Sequence, residues 1–491
     1  MIQYIEGFGH GGVTTLAVSD WGRDDMRSSV RLECKLVMRD RGTIATACLL
    51  SAILLLSLVS GLRADQAETM ALRSAAQKVQ AEWNAQPPKN PHSAAHYGIL
   101  VYRPRAPLQA IEPGVLPYLG AVTFLEAHKR NSPILSPASV RDADSRYGGT
   151  RFSPMLQISG GFLALVLGFL IGAREQRRGM TPLLRGTGVR GAKLVAAKTI
   201  VTASLIALAA MPALLLAAAA VGGGDAGARF AALAAGSLVH LLVLASLGVA
   251  AGVWLGAARF GLAAVAFTWA LGVMILPRIV DIAAERIAPL TNRAVAERVE
   301  ADFKIGPDGH SASDANKLVE QQTLARYGVT RKEDLPVNFD ALLMQADEEY
   351  RGGVYDRRLA EADAVRQLQD TLRRVAWAFG PTPAMLDLST RLSGADAETQ
   401  RRFDVDAEAF RRTLVGRLNR HMAENSKTGD WEWTTQDRYF ASFAAFKPPS
   451  PTLVDDAPGI WPSALVLLGW LGLAAVALAF AARRFDRSVR A

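Results

Sequence analysis

Leu194–Val221 reads LVAAKTIVTASLIALAAMPALLLAAAAV. At 1.5 Å rise per residue a helix of this length reaches about 42 Å, more than the hydrocarbon core of about 30 Å. Five further stretches have the same character: Thr43–Leu62, Pro154–Ala173, Phe230–Ala257, Gly261–Ile282 and Ile460–Ala482. Backbone amides find no water in hydrocarbon, so each segment must satisfy its own hydrogen bonds as a helix. The expected fold class is an all-α polytopic membrane protein with six transmembrane helices and two extracytoplasmic insertions, the larger mainly helical.

Half of the 491 residues are hydrophobic and 21 % are charged. That balance is too apolar for a simple soluble enzyme and too polar for a purely buried bundle. The formal charge of +9 raises the question of nucleic acid, but the basic residues cluster beside span ends. Charge in those places sets topology and favours anionic lipid, so no nucleic-acid partner is expected. Arg23, Arg27, Arg31, Lys35, Arg39 and Arg41 precede the first span. Arg174, Arg177, Arg178, Arg185, Arg190 and Lys193 lie between the second and third, with the acid Glu175 among them. Arg259 sits between the fourth and fifth, and Arg483, Arg484, Arg487 and Arg490 follow the sixth. All four regions fall on one face, which the positive-inside rule makes cytoplasmic. Ala284–Gly459, with 24 Lys/Arg against 29 Asp/Glu, is then translocated. Both termini are expected inside.

Cys34 falls on the inner side and Cys48 within the first span, so neither insertion can hold a disulfide. Residues 1–27 form either a flexible tail or a mis-set start, with Met26 as the alternative first residue; Met1–Asp25 lacks the layout of a signal peptide. Residues 28–42 read as an amphipathic elbow helix, with Val30, Leu32, Leu36 and Val37 on one face and Arg27, Arg31, Lys35 and Arg39 on another.

The first insertion, residues 63–151, opens with a helix-like stretch, Ala64–Trp83, and carries a short strand at Gly98–Tyr102. His92, His96 and His128 with Glu126 have the composition of a zinc site, and His92 and His96 have helical i, i+4 spacing. Pro91 and Pro87-Pro88 weaken the helix, and no Glu lies between the two histidines. Structural histidines are the preferred reading, and no metal is assigned.

The inner hairpin, residues 174–193, contains Gly186-Thr187-Gly188-Val189-Arg190-Gly191, a literal G-x-G-x-x-G. That fingerprint needs a strand before it, and here a membrane span lies on each side. No Walker A sequence occurs anywhere, so if ATP drives this protein another subunit binds it with its Mg; no cofactor and no catalytic residue is assigned to this chain. Ala, Gly and Ser in the third and fourth spans allow close helix contact. Pro212 is expected to kink the third. His240 is the ionisable residue deep in a span, read as a neutral imidazole bonded to a neighbouring helix, with a pathway role as the sharper alternative. Arg278 and Asp281 end the fifth span as interfacial anchors, with gating as the alternative. The second insertion, residues 283–459, has helical periodicity at Tyr355–Phe379 and Asp404–Met422, broken at Gly380-Pro381-Thr382-Pro383. Lys447-Pro448-Pro449-Ser450-Pro451 is a stiff connector into the sixth span, and residues 483–491 form a basic inner tail.

The layout resembles the ABC-2-type transporter permeases, closest to a bacterial subfamily with big periplasmic insertions whose characteristic domain is of unknown function. The resemblance rests on Arg31-Leu32-Glu33 and Arg39-Asp40-Arg41 before the first span, and on Asn90 through Gly98, which includes His92, His96 and Tyr97. Pro113 through Gly120 and Leu125-Glu126-Ala127-His128 add to it, as do Leu392 through Asp396 with Phe403, Ala407-Glu408, Arg411 and Leu418-Asn419. In the hairpin, Glu175, Gly179, Leu183, Leu184, Arg190 and Lys198 fit the family's spacing; Met180-Thr181-Pro182 and Ala197 depart from it. The resemblance implies the permease subunit of an exporter coupled to a separate cytoplasmic ATPase. Glu33, Arg39, Arg41, Glu175, Arg177, Arg178, Gly179, Arg185, Arg190 and Lys198 would carry the coupling. It also implies a second permease copy or a related permease, contact with lipid and an accessory protein at the outer insertions. Two alternatives stand beside it: a non-transporting receptor coupled to an ATPase, and a membrane-anchored metalloenzyme using His92, His96, His128 and Glu126.

Overall fold

The structure, a computed structural model, describes residues 26–135, 151–186, 188–256, 258–305 and 311–487. The N-terminal tail expected over 1–25, part of the first insertion and the last residues of the basic tail lie outside that set.

Six helices are long and apolar enough to cross a membrane. The elbow α1 (Met26–Arg39) leads into α2 (Arg41–Asn84), with Asp40 between them accepting from the Gly42 and Thr43 amides as an N-cap. The first span and the helix-like stretch expected after it are one element of 44 residues, because neither Gly nor Pro interrupts the transition at Leu62–Asp65. A short helix α3 (Pro91–Tyr97) precedes a three-stranded antiparallel sheet of β1 (Ile99–Tyr102), β2 (Val122–Glu126) and β3 (Lys129–Arg130), in that spatial order. The remaining spans are α4 (Phe152–Arg177), α6 (Gly191–Val221), α7 (Gly224–Leu255), α8 (residues 261–287) and α14 (Leu453–Arg487), with α5 (Thr181–Gly186) between α4 and α6. The second insertion supplies α9 (Asn292–Ile305), α10 (Ala312–Tyr327), α11 (Phe339–Arg373), α12 (Pro381–Ser393) and α13 (Ala397–Asn425).

Small residues decide the packing, as the fourth span shows most clearly. The closest approach is between the second and fourth spans, α4 and α7. A side-chain carbon at Gly168 would sit 2.6 Å from the Ala245 carbonyl, and one at Gly248 2.2 Å from the Leu165 carbonyl. Only hydrogen fits at both positions, which lets the two backbones touch. Pro212 lies inside α6, and a π turn, Leu271–Ile275, immediately precedes Pro277 in α8, where the proline nitrogen offers no donor.

The second insertion is not a separate body above the bundle. Met385, Leu388 and Leu392 of α12 share one apolar core with Leu54, Ala164, Ala210 and Leu241 of the spans. Polar ties hold α12 there. Ser389 Oγ lies 2.9 Å from Glu112 Oε2, Arg229 donates to the Leu392 carbonyl at 3.3 Å, and Trp470 donates to the Trp377 carbonyl just before α12 at 3.0 Å. Glu112 is fully buried, and desolvation pushes its carboxyl above the usual range. A second core forms where Trp83, at the far end of α2, meets Phe440 and Phe443 edge-on beside Phe403, Leu414 and Leu418 of α13.

Candidate functional site

At the end of the bundle carrying the basic hairpin, four charged side chains from three helices converge. Glu33 stands on α1 among Leu32, Leu36 and Val37, whose apolar faces pack on the spans and draw the acid in with them. Glu175 and Arg174 end α4, and Lys198 sits two turns into α6. Arg174 donates to Glu33 at 2.6 Å and to Glu175 at 3.0 Å. The Lys198 ammonium lies 2.8 Å from Glu175, 3.1 Å from Glu33 and 2.9 Å from the Ile171 carbonyl. Glu33 and Lys198 have no exposed surface. Two acids and two bases cancel, so the group is neutral as a whole, and each charge has a partner at contact distance.

Around this neutral centre the surface at this end of the bundle is built from the hairpin. Gly179, with φ +65°, ends α4: the Met180 amide donates to the Glu175 carbonyl at 2.9 Å, so the chain turns at the cluster itself. Leu184 of α5 is buried against Leu32, Leu194 and Phe485, whereas Leu183 beside it is 71 % exposed. Asp486 of α14 accepts from the Gly191 amide at 2.7 Å, at the start of α6. The G-x-G-x-x-G stretch is therefore a helix end and a helix start with no strand in front of it; Thr187 lies outside the described residues.

The residues expected to couple thus divide into two sets. Glu33, Glu175 and Lys198 meet in the buried centre. Arg39, Arg41, Arg177, Arg178, Gly179 and Arg190 are exposed around it. The side chain of Arg185 lies outside the described set. Arg174, which the sequence reading used only as a topology charge, is the fourth member. Its place next to Glu175, at the last turn of a span, was the available signal.

The other expected residues lie elsewhere. His240 is buried, and its Nε2 is 3.0 Å from Thr382 Oγ1 on α12, an insertion helix rather than a neighbouring span. Asp281 accepts from Arg373 at 2.7 Å, and Arg278 is exposed. The zinc quartet splits. His92, His96 and His128 each bring a ring nitrogen within 4.8 Å of the others, while Glu126 bonds Asn131 at 3.0 Å instead. Pro91 does not break the helix carrying His92 and His96 but starts it, as the first helical residue after the Asn90 cap. Tyr97 is exposed beneath the Lys89 ammonium, 4.5 Å from its ring centre. A cleft of about 1180 Å³ opens between the sheet, α9, α11 and α13, lined among others by Arg366, Arg391, Arg402 and Asp404.

Residues 290–442 match a family described as a domain of unknown function, DUF3526. The match takes in α9 to α13, under a third of the chain, and includes neither the charge cluster nor the histidines. No curated protein and no solved structure matches the chain.

Proposed function

We propose that the chain is the permease subunit of a bacterial ABC-2-type transporter, an exporter, working with a separate ATPase and a second permease. The observation that carries this reading is the buried cluster of Glu33, Arg174, Glu175 and Lys198. It ties the elbow helix to two spans directly behind an exposed basic hairpin. An ATPase seated on α1 and α5 would push on Leu183, Arg190 and Arg39. Three helices pinned together by paired charges would move as a unit, not slide past one another. By the positive-inside rule the basic rim supports a cytoplasmic position for this face, with both insertions outside. ATP and Mg belong to the partner, which hydrolyses ATP; this chain transmits.

One observation favours a second reading, in which the chain relays force without a cargo. The outer end of the bundle is filled by Met385, Leu388 and Leu392 of α12, and His240 is closed off by Thr382. Cargo would then enter sideways from lipid, or none would pass.

The test is co-purification in detergent with whatever ATPase binds this chain, followed by ATP turnover with the double variant Leu183→Asp and Arg190→Glu. Both residues are exposed, so the variant should fold. Loss of the complex, or of its stimulated turnover, is the expected outcome. Failure of the parent chain to recover any ATPase would overturn the proposal.

A further inference from the structure

Three imidazoles face one another at the junction of α3, the β2–β3 hairpin and α11, and nothing in the coupling reading uses them. His92 and His96, one helical turn apart on α3, hold their Nε2 atoms 3.1 Å apart with ring planes at 85°. The ring centre of His128 is 5.5 Å from that of His92 and 5.3 Å from that of His96. Beside His128, Nδ1 lies 3.0 Å from Asp347 Oδ2 and 3.2 Å from Glu348 Oε1.

We propose that His92, His96 and His128 bind one divalent first-row transition-metal ion at a three-histidine centre with an open fourth position. Zinc–imidazole bonds of about 2.0–2.1 Å put tetrahedral ligand nitrogens about 3.3 Å apart, close to the His92–His96 separation. The third ring stands within a side-chain rotation of the same sphere. Asp347 faces Nδ1 of His128, the arrangement by which a carboxylate fixes a ligand imidazole and leaves Nε2 to the ion. His96 is exposed and the other two are half-buried, so an ion reaches the centre from solvent.

The backbone argues the same way. His128 occupies the second position of a two-residue hairpin turn, Ala127–His128, with φ +63°. Glycine or asparagine is favoured there, and a histidine is held at a cost. It is held by three ties: the Ala127 amide donates to the Ala95 carbonyl on α3 at 3.0 Å, the His128 amide donates to Glu348, and Arg411 fixes Glu348 at 2.7 Å. Strain kept at a tip that points one histidine at two others has a purpose when an ion joins them.

The experiment uses the full-length protein in detergent, stripped with chelator and then titrated with zinc alone and with cobalt(II) as a spectroscopic probe. The expected result is one zinc per chain and the visible absorption of four-coordinate cobalt. His96→Ala and His128→Asn should each weaken binding by 100-fold or more, Asp347→Asn by about 10–100-fold, and His421→Ala, on the same unit, not at all. Asparagine tolerates the left-handed turn, so His128→Asn decides the matter if His96→Ala misfolds. No binding at saturating zinc, or binding unchanged by both histidine variants, would overturn the proposal. So would equal loss in His421→Ala.

Discussion

Two clusters of this chain, the charged group behind the hairpin and the histidine trio, are opposites. At the hairpin end, Glu33 and Glu175 meet Arg174 and Lys198, and every charge is answered within the chain. On α3 and the hairpin tip, three groups of the same kind face one another, and the acids beside His128 already serve Arg351 and Arg411. A balanced cluster is a joint: it resists separation and asks for nothing from outside. An unbalanced one is a socket. Glu33 and Lys198 at the heart of the first have no exposed surface, whereas every member of the second reaches solvent in part.

The largest effect should come from unbalancing the joint. Lys198→Met leaves two buried carboxylates with one partner, and should destabilise the chain by about 3–5 kcal/mol in thermal unfolding in detergent. Adding Glu175→Gln to it should recover part of that loss, because a neutral group replaces the stranded charge; a double variant no better than the single would deny that the cluster acts as a unit. Glu33→Gln should cost less, about 1.5–3 kcal/mol locally, and appear as faster hydrogen exchange over Met26–Arg39 with the spans unchanged.

The socket should respond to a ligand and not to its own removal. Zinc at a hundredfold above its dissociation constant should stabilise the parent by about 2.7 kcal/mol, and His128→Asn should erase that gain while changing metal-free stability by less than about 1 kcal/mol. Asp404, an acid of the second insertion, sharpens the contrast, being out of balance for a different reason. Burial pushes its carboxyl up to about 6 from 3.8, against a hydrogen bond from Gln400. Between those values the native chain keeps a proton that the unfolded chain has released. Its contribution to stability is full below pH 3.8 and lost as pH rises through 6. Asp404→Asn should flatten the melting profile over that window, with or without zinc. The smallest effect belongs to the rim: Arg190→Glu should shift stability by no more than about 0.5 kcal/mol, and is informative only if ATPase docking fails while the melt is unchanged.

Hydrophobic run length made the six spans legible in sequence, because hydrocarbon admits so few backbone solutions. What periodicity could not show was which segments fuse or dock. Nothing at Leu62–Asp65 marks the end of a span from within the helix that continues it. Pro381–Ser393 carries few enough apolar residues to read as a surface helix until Leu388 and Leu392 meet the bundle. The acids and bases of the joint were individually visible, yet their meeting depends on α1 folding back beside α6, a long-range contact that no spacing records. His128 was the hardest. Its part depends on a two-residue turn with left-handed backbone, where sequence preference points to glycine.

The continuous helix α2 has a mechanical consequence. Its 44 residues make a rod of about 66 Å, rooted beside the elbow at Arg41 and ending at Trp83 in the aromatic core beside α3. By simple leverage on that length, a tilt of about 5° at the root sweeps the far end through about 6 Å, more than a full helical turn of rise. A contact such as Trp83 against Phe440 cannot stretch that far. Any stroke delivered at the Arg41 end must therefore either carry the aromatic core at Trp83 along with it or tear that core open.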